Sequence, residues 1–406
     1  MDPARLHPFL ESRLPAALEA LRRMVEINSW TENRDGVNRV GRLTAELFAP
    51  LGFAAEFVPH ANPAWGDHLV LTRPGTGPAT VALVTHLDTV FPPEEEARNG
   101  FRWLPEGDRI YGPGTHDIKG GTAMVLLVLE ALRALAPDVF AATTWRLLGN
   151  ASEETLSGHF GEVCRARLGP DTRAILVFEA EGTGPGTRRL VRSRKGRATW
   201  RLRVEGRGGH AGNQHRRGVN AVVQLARLVD RAAALTDHGR GLTVNPGIIR
   251  GGTGLNRVPH EAEAEGELRA FDPAVYAEAV AALCALAGPG DVRAVSDGQP
   301  AQVSVEILGE SRPWPHNPGT DRLLALWQQA GADLGERIEG EDRGGLSDGN
   351  LLWDLAPTLD GLGPGGDHDH CSERSADGTK LPEYVDVASF VPKAAVNVLA
   401  LARLLG

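Results

Sequence analysis

Val81-Ala82-Leu83-Val84-Thr85-His86-Leu87-Asp88-Thr89-Val90 is the stretch from which the architecture can be read. Residues 81–84 form a short, continuous apolar run with two valines, the pattern of a strand buried on both faces. Such strands occur in sheets covered by helices, and this one stops at a histidine. Polar residues directly after a buried strand lie at its carboxyl edge, where open α/β sheets hold their ligands. The spacing His86-x-Asp88 would let the imidazole bind a metal while the carboxylate, two residues on, receives the other ring N–H.

Outward from this strand, apolar residues recur at helical spacing over 14–27 and 37–51, and a strand-like run lies at 69–71. The spacing then predicts a long helix over 120–135, a strand over 145–148, a helix over 157–168 and a buried strand over 174–178. Strands alternating with helices predict an α/β domain, a mostly parallel sheet with helices on both faces. Near Arg192 the pattern changes. Residues 198–204 and 261–270 alternate with period two, and helical patterns fill 220–233 and 274–286, which predicts an inserted α+β domain with an antiparallel sheet. After a turn-rich segment at 308–315, helical and buried-strand patterns return and end in a helix over 391–405. The expected division is a catalytic domain at 1–192 and 311–406, split around an insertion at 193–310.

A chain of 406 residues has room for two such cores, and 42% apolar with 23% charged residues is the balance of a globular protein. Lys and Arg total 43 against 52 Asp and Glu, a formal charge of -9, which leaves no electrostatic footprint for nucleic acid or an anionic membrane. Small molecules and peptides are the expected partners. The amino terminus lacks the apolar segment of a secretory signal, and no window approaches the ~20 uninterrupted apolar residues of a membrane span, so a cytoplasmic location is expected. Three cysteines, Cys164, Cys284 and Cys371, form no disulfide framework, and the first two sit in helical apolar patterns that predict core packing.

Further chemistry-bearing residues follow the predicted strands. Tyr111-Gly112-Pro113-Gly114-Thr115-His116-Asp117-Ile118-Lys119-Gly120-Gly121 is a glycine-rich turn opening a helix. It lacks the glycine spacing and Gly-Lys-Ser/Thr of a phosphate loop, whereas Asp117 in a tight turn is placed to bridge two cations. Asn150-Ala151-Ser152-Glu153-Glu154-Thr155 sets two adjacent carboxylates at another carboxyl edge. Divergent side chains would let Glu154 bind metal and leave Glu153 free to take a proton from water, while Ser152 caps the following turn. Glu179 ends the strand over 174–178, where an acidic residue is hard to explain as packing. His368-Asp369-His370-Cys371 offers a late imidazole, and Cys371 has no spaced cysteine partner for a structural zinc site. Carboxylates combined with two imidazoles suit two divalent ions, zinc, cobalt or manganese.

In this order, His-x-Asp, Gly-x-x-Asp-x-Lys-Gly, Glu-Glu, Phe-Glu and a late His, the motifs resemble the family of two-metal hydrolases that includes glutamate carboxypeptidase, acetylornithine deacetylase, succinyl-diaminopimelate desuccinylase and aminoacylase. The resemblance covers nearly the whole chain and favours the glutamate carboxypeptidase-like branch. It implies that His86 and Glu179 hold one ion, Glu154 and His370 the other, with His368 as the alternative late ligand. It further implies Asp117 as the bridge, Asp88 as the residue orienting His86 and Glu153 as the general base. The insertion would be a lid or dimerisation domain, and His210, in Gly208-Gly209-His210-Ala211-Gly212, would reach the partner subunit's active site of a homodimer and stabilise the oxyanion. Asn256, Arg269 and Arg343 resemble residues that contact substrate, Arg343 by forking a free carboxylate. The implied activity is hydrolysis of a peptide bond that releases a carboxy-terminal amino acid, or of an N-acyl amino acid amide.

The sequence departs from the family in two places. Residues 375–381 separate the late His from Glu383-Tyr384, and Arg188 and Arg189 stand where a substrate-contacting Lys would lie. Two rival readings remain. Gly345-Leu346-Ser347-Asp348-Gly349, with Asp367 and His370 after it, fits a serine nucleophile elbow, but residues 339–344 read as polar and turn-like where that elbow needs a buried strand. A non-catalytic binding protein on the same fold would have no reason to keep the base Glu153.

Overall fold

The computed structural model describes residues 3–155, 158–182 and 187–406, so Ser157, where the helix over 157–168 was expected to begin, lies outside the described residues. The chain forms two compact units, Met1–Arg192 with His316–Asp342 and Ser347–Gly406, and Ser193–Pro315 with Arg343–Leu346. The inserted unit thus runs past residue 310 and takes in a second short segment. Its strand Pro300–Ser311 pairs with Gly196–Glu205 up to Ser311, and Arg194 and Trp314 exchange backbone hydrogen bonds at 2.9 and 3.0 Å.

In the first unit a six-stranded sheet has the order Ala54–Val58, His68–Arg73, Thr144–Asn150, Thr80–His86, Thr172–Val177, Thr358–Leu359. Thr80–His86 runs parallel to both its neighbours, Thr358–Leu359 runs parallel to Thr172–Val177, and the first two strands form the antiparallel edge. All of Thr80–His86 is buried because its side chains alternate between two cores. Val81 and Leu83 pack with Leu147, Leu176 and the helices Leu6–Val25, Lys119–Leu135 and Phe390–Leu405. Ala82 and Val84 face Leu148, Ile175, Phe160 and Leu352 on the other side. The register that sets His86 opposite Asn150 and Val84 opposite Val177 brings the carboxyl ends of three parallel strands level.

The stretch Val387–Leu405 averages a hydropathy of 1.4 over a length that could cross a membrane, although Lys393, Asn397 and Arg403 interrupt its apolar run. Its burial explains the composition. The helix Phe390–Leu405 fills the core between Lys119–Leu135 and Pro318–Asp333, with Trp327 donating to Asn397 Oδ1 at 2.9 Å and Lys393 pairing with Glu181 at 3.1 Å.

The inserted unit is a five-stranded antiparallel sheet in the order Thr243–Gly251, Glu261–Ala270, Gly196–Glu205, Pro300–Ser311, Gly288–Arg293. The inward residues Trp200, Leu202, Val204 and Leu268 pack with Leu225 and Leu228 of the helix Ala221–Ala233 and with Tyr276 and Leu283 of Pro273–Cys284. Outward positions alternate as charge pairs such as Arg201 with Glu265 at 2.8 Å. Gly266 is required here, since a Cβ would lie 2.3 Å from the Trp200 ring. Cys164 is buried as expected, but Cys284, the last residue of its helix, is exposed where the apolar face has already turned away.

Candidate two-metal centre

Three strand ends and two turns supply the site. His86 closes the strand Thr80–His86, Glu179 follows Thr172–Val177, and Glu153 and Glu154 open a short 3-10 turn after Thr144–Asn150. Asp117 sits at the end of the glycine-rich turn, where Thr115 Oγ1 donates to Gly112 O at 2.8 Å and the Asp117–Ile118 peptide is cis. A Cβ on Gly121 would lie 2.0 Å from the Phe178 carbonyl oxygen, so only glycine lets the start of helix Lys119–Leu135 approach the strand end carrying Glu179. His370 has φ of 63°, a left-handed conformation seldom adopted by a residue with a side chain and concentrated at functional turns.

Asp88 has a wider role than orienting one ring. His86 Nδ1 donates to the Asp88 backbone carbonyl at 3.0 Å, and the Asp88 carboxylate is 3.4 Å from the same nitrogen. The carboxylate also accepts from the Glu153 and Glu154 amides at 3.1 and 3.3 Å and from Thr31 Oγ1 at 2.7 Å. With its proton fixed on Nδ1, His86 turns the lone pair of Nε2 into the site, the tautomer a metal ligand needs.

Asp117 lies between two donor groups. Its Oδ1 is 2.9 Å from His86 Nε2, which is 4.0 Å from Glu179 Oε1. Its Oδ2 is 3.4 Å from His370 Nε2, which is 3.3 Å from Glu154 Oε2. Two donors on one ion with bonds of ~2.0–2.2 Å stand no more than about 4 Å apart, so each group fits one cation and Asp117 can serve both. The second nearby imidazole, His368, instead leans on Tyr384 with ring centroids 5.9 Å apart.

The electrostatics fit the same reading. Hydrogen bonds to Asp117 and then Glu154 raise His370 to about 11. Burial lifts Glu154 to about 7, with the Asp117 charge adding to it. Burial, reinforced by Glu179, Asp348 and Glu154, pushes Glu153 well above the carboxylate range against the pull of His86. Asp117 is held far below that range because His370 and His86 outweigh the cost of its burial. So many carboxylates cannot share a dry site without compensating positive charge, which two divalent cations would supply.

A family model described as a peptidase dimerisation domain matches residues 192–287. Carboxypeptidase G2 of Pseudomonas sp. is 28% identical over 382 residues, covering 92% of this chain and 86% of that protein. Acetylornithine deacetylase of Pectobacterium atrosepticum is 25% identical over 402 residues, covering 94% and 96%. Residues 192–287 thus match the dimerisation domain of M20 peptidases, and nearly the whole chain is similar to a carboxypeptidase and a deacetylase. Among solved structures, the aminopeptidase PepT of Bacillus cereus superposes with a TM-score of 0.75 at 21% identity, over 97% of this chain and 99% of that one. A dinuclear metal binding peptidase of the M20 family from Bacillus subtilis gives 0.69 at 13% identity, over 97% and 99%.

Among the described residues there is a third cluster of ligand-type side chains, His60, His68 and His159. His60 Nδ1 accepts from the Asn62 amide at 2.8 Å and His68 Nδ1 from the Ala151 amide at 3.1 Å. Neutral rings then carry their protons on Nε2, where His60 meets Ser152 Oγ and His68 donates to His159 Nδ1, both at 3.1 Å. To hold a cation through Nε2, His60 and His68 would have to break these amide bonds or become imidazolates. The cluster is therefore a hydrogen-bonded support for the turn that carries Glu153 and Glu154. No sequence spacing marked it, because its members come from separate elements.

The remaining expected site residues lie in the inserted unit and form two pairs. His210 and Asn256 are exposed and adjacent, the Ala211 amide donating to Asn256 O at 2.9 Å, and the Gly209–His210 strand pairs with Arg257–Val258. His210 Nδ1 accepts from the Gly212 and Asn213 amides at 3.1 and 3.2 Å, so the neutral ring presents Nε2–H as a donor. Arg269 is spoken for: both carboxylate oxygens of Glu267 accept from it at 2.9 and 3.1 Å, and the Gly344 carbonyl accepts at 2.9 Å. It supports the segment that begins with Arg343. Arg188 is likewise held by Glu181 and Glu336, at 2.9 and 2.8 Å, and Arg189 is 3.8 Å from Glu341.

The serine-elbow reading fails on a different ground from the expected one. Residues Ile338–Arg343 do form a strand, paired with Arg188–Arg194 in a two-stranded sheet, rather than a turn. Ser347, however, is buried, and its hydroxyl donates to Asp360 at 2.8 Å and accepts from the Gly349 amide. Its hydroxyl is engaged in the turn before the helix Gly349–Leu352 and offers no nucleophile.

Proposed function

We propose that this chain is an M20 hydrolase that uses two divalent ions to cleave a peptide or N-acyl amide bond, releasing an amino acid with a free α-carboxylate, with the carboxypeptidase reaction favoured over N-acyl amino acid deacylation. The observation that carries it is Asp117, whose two oxygens face separate His and Glu pairs. His86, Asp117 and Glu179 would hold one ion and Asp117, Glu154 and His370 the other, and their nitrogen and oxygen donors favour zinc, with cobalt and manganese able to replace it. When bound, the pair supplies Lewis-acid polarisation of the scissile carbonyl and lowers the pKa of water.

Glu153 takes the proton of the attacking water at its carboxylate and passes it to the leaving nitrogen. Its high proton affinity suits both halves of that transfer. Asp88 fixes the Glu153 and Glu154 amides together with His86, so base and ligands move as one body. Arg343, steadied through Arg269 and Gly344, is the residue we assign to the substrate carboxylate, a reading supported by similarity to relatives named as a carboxypeptidase and an acetylornithine deacetylase. The exposed edge strand Thr243–Gly251, with Ile248 and Ile249 on its surface, supports a homodimer through the inserted unit, in which His210 Nε2–H serves the partner subunit's site as the oxyanion donor.

The test is reconstitution. Chelated protein reloaded with zinc, cobalt or manganese is assayed chromatographically on peptidyl and N-acyl amino acids, and on the corresponding amides, in which the carboxylate is blocked. Turnover should return with about two ions per chain and should be lost when the carboxylate is blocked. Metal-loaded protein that hydrolyses no member of the panel overturns the reading.

A further inference from the structure

Asp117 and His370 are 253 residues apart, on separate turns, yet one side chain joins those turns. Glu383 is fully buried, and its Oε1 accepts from the backbone amides of both His116 and Asp117, at 2.8 and 3.1 Å. Its own amide donates to Cys371 O at 2.8 Å, one residue beyond His370, and its carbonyl accepts from Gly112 at 3.3 Å, at the start of the Asp117 turn. A second tie runs alongside, from Asp369 to His116 Nδ1.

The departure at residues 375–381 is explained by the same contact. The chain leaves after Cys371 and returns at Glu383, so the intervening segment is an excursion closed at its neck by one backbone hydrogen bond. Inside the excursion, Ser375 pairs with Lys380 and Arg374 reaches Glu106 at 2.7 Å. The extra residues are accommodated without moving the neck.

We propose that Glu383 is a positioning residue for the metal centre, its buried carboxyl group and its backbone together setting the Asp117 turn and the His370 turn at the separation that lets Asp117 serve both ions. The inference rests on the two-metal reading above. The hydrogen bonds of the side chain go to backbone amides behind the ligands. It acts through the Asp117 amide and the Cys371 carbonyl, as partners one layer behind metal ligands do, and loss of such a partner typically costs ~10–100-fold in metal affinity.

Three variants separate positioning from general structural support. Glu383→Gln keeps an oxygen acceptor at full reach, Glu383→Asp keeps the carboxylate one methylene short, and Glu383→Leu removes the acceptor and leaves two buried amides unpaired. Zinc affinity is measured by competition with a chromophoric chelator, well below the melting temperature, alongside the Tm of metal-free and zinc-loaded protein. The expected order of affinity is wild type and Glu383→Gln together, then Glu383→Asp, then Glu383→Leu, the last weaker by at least about tenfold and with a smaller zinc-induced rise in Tm. A folded Glu383→Leu protein with lower Tm but wild-type zinc affinity would make Glu383 merely structural and overturn the proposal. Should that variant fail to fold, wild-type affinity in Glu383→Asp overturns it equally. A wild-type protein that binds no zinc overturns the two-metal reading itself, and the clamp with it.

Discussion

Glu153 and Glu154 are neighbours with different tasks, and their surroundings divide the work. Glu154 faces His370 at 3.3 Å, as a ligand would, whereas Glu153 lies among Glu179, Asp348 and His86 with its proton affinity raised by burial. Glu153→Gln keeps the size of the side chain and every backbone contact to Asp88, so the variant should bind the same amount of metal, measured by elemental analysis. Its turnover should fall by ~10²–10⁴-fold, the usual contribution of a general base. Near-normal turnover at full metal content would remove Glu153 from the mechanism. At this scale the sequence was informative wherever a charged residue followed a buried strand: His86, Glu153, Glu154 and Glu179 all stood out against apolar runs. Thr31 and Glu383 did not, because one is a small hydroxyl residue and the other a surface-type residue in sequence, and only folding puts Thr31 on Asp88 and Glu383 beneath Asp117.

The turn after strand Thr144–Asn150 is held from behind by strand His68–Arg73, and that contact depends on pH. His68 Nδ1 accepts the Ala151 amide, which a protonated ring could not do. Burial, and then the neighbouring His60 and His159, push His68 down to about 3. His60 is itself lowered by burial and by His159, with Asp88 the nearest opposing charge. The unfolded chain therefore binds a proton at His68 below ~6.5 that the folded chain refuses, and stability falls as pH drops from there toward 3, by at most about 1.4 kcal/mol per pH unit. Above ~7 the group contributes no slope. His68→Asn retains an acceptor and removes the titration, so urea unfolding of the metal-free variant between pH 7 and 5 should show a shallower loss than wild type. Parallel loss in both proteins would show that His68 does not carry the effect. Element boundaries were legible where periodicity was strong, as at Thr80–His86 and Gly196–Glu205. They were not legible at Ile338–Arg343, a strand whose one apolar residue, Ile338, is followed by glycine and charged residues with no apolar alternation to betray it.

At the scale of the molecule, the split of one domain around another could be read from the change of period near Arg192, but the second crossing could not. Arg343–Leu346 joins the inserted unit through its own backbone carbonyls, Arg343 O accepting from the Lys195 amide at 3.1 Å and Gly345 O and Leu346 O from the Arg194 guanidinium, and no side-chain pattern within the segment announces those. The same limit applies to assembly. Among the described residues, His210 Nε2 has no hydrogen-bond acceptor, and the proposed dimer gives it one in the partner subunit. This is testable by mixing. His210→Ala keeps Glu153, and Glu153→Gln keeps His210, so each homodimer should be nearly inactive. After subunit exchange, half of the dimers are mixed, and in each mixed dimer one site combines an intact Glu153 with an intact His210 from its partner. Activity should then rise to about a quarter of the wild-type value, as two-fold symmetry requires. If His210 served its own subunit, every site in the mixed dimer would lack one of the two groups, and exchange confirmed by native mass spectrometry would restore nothing.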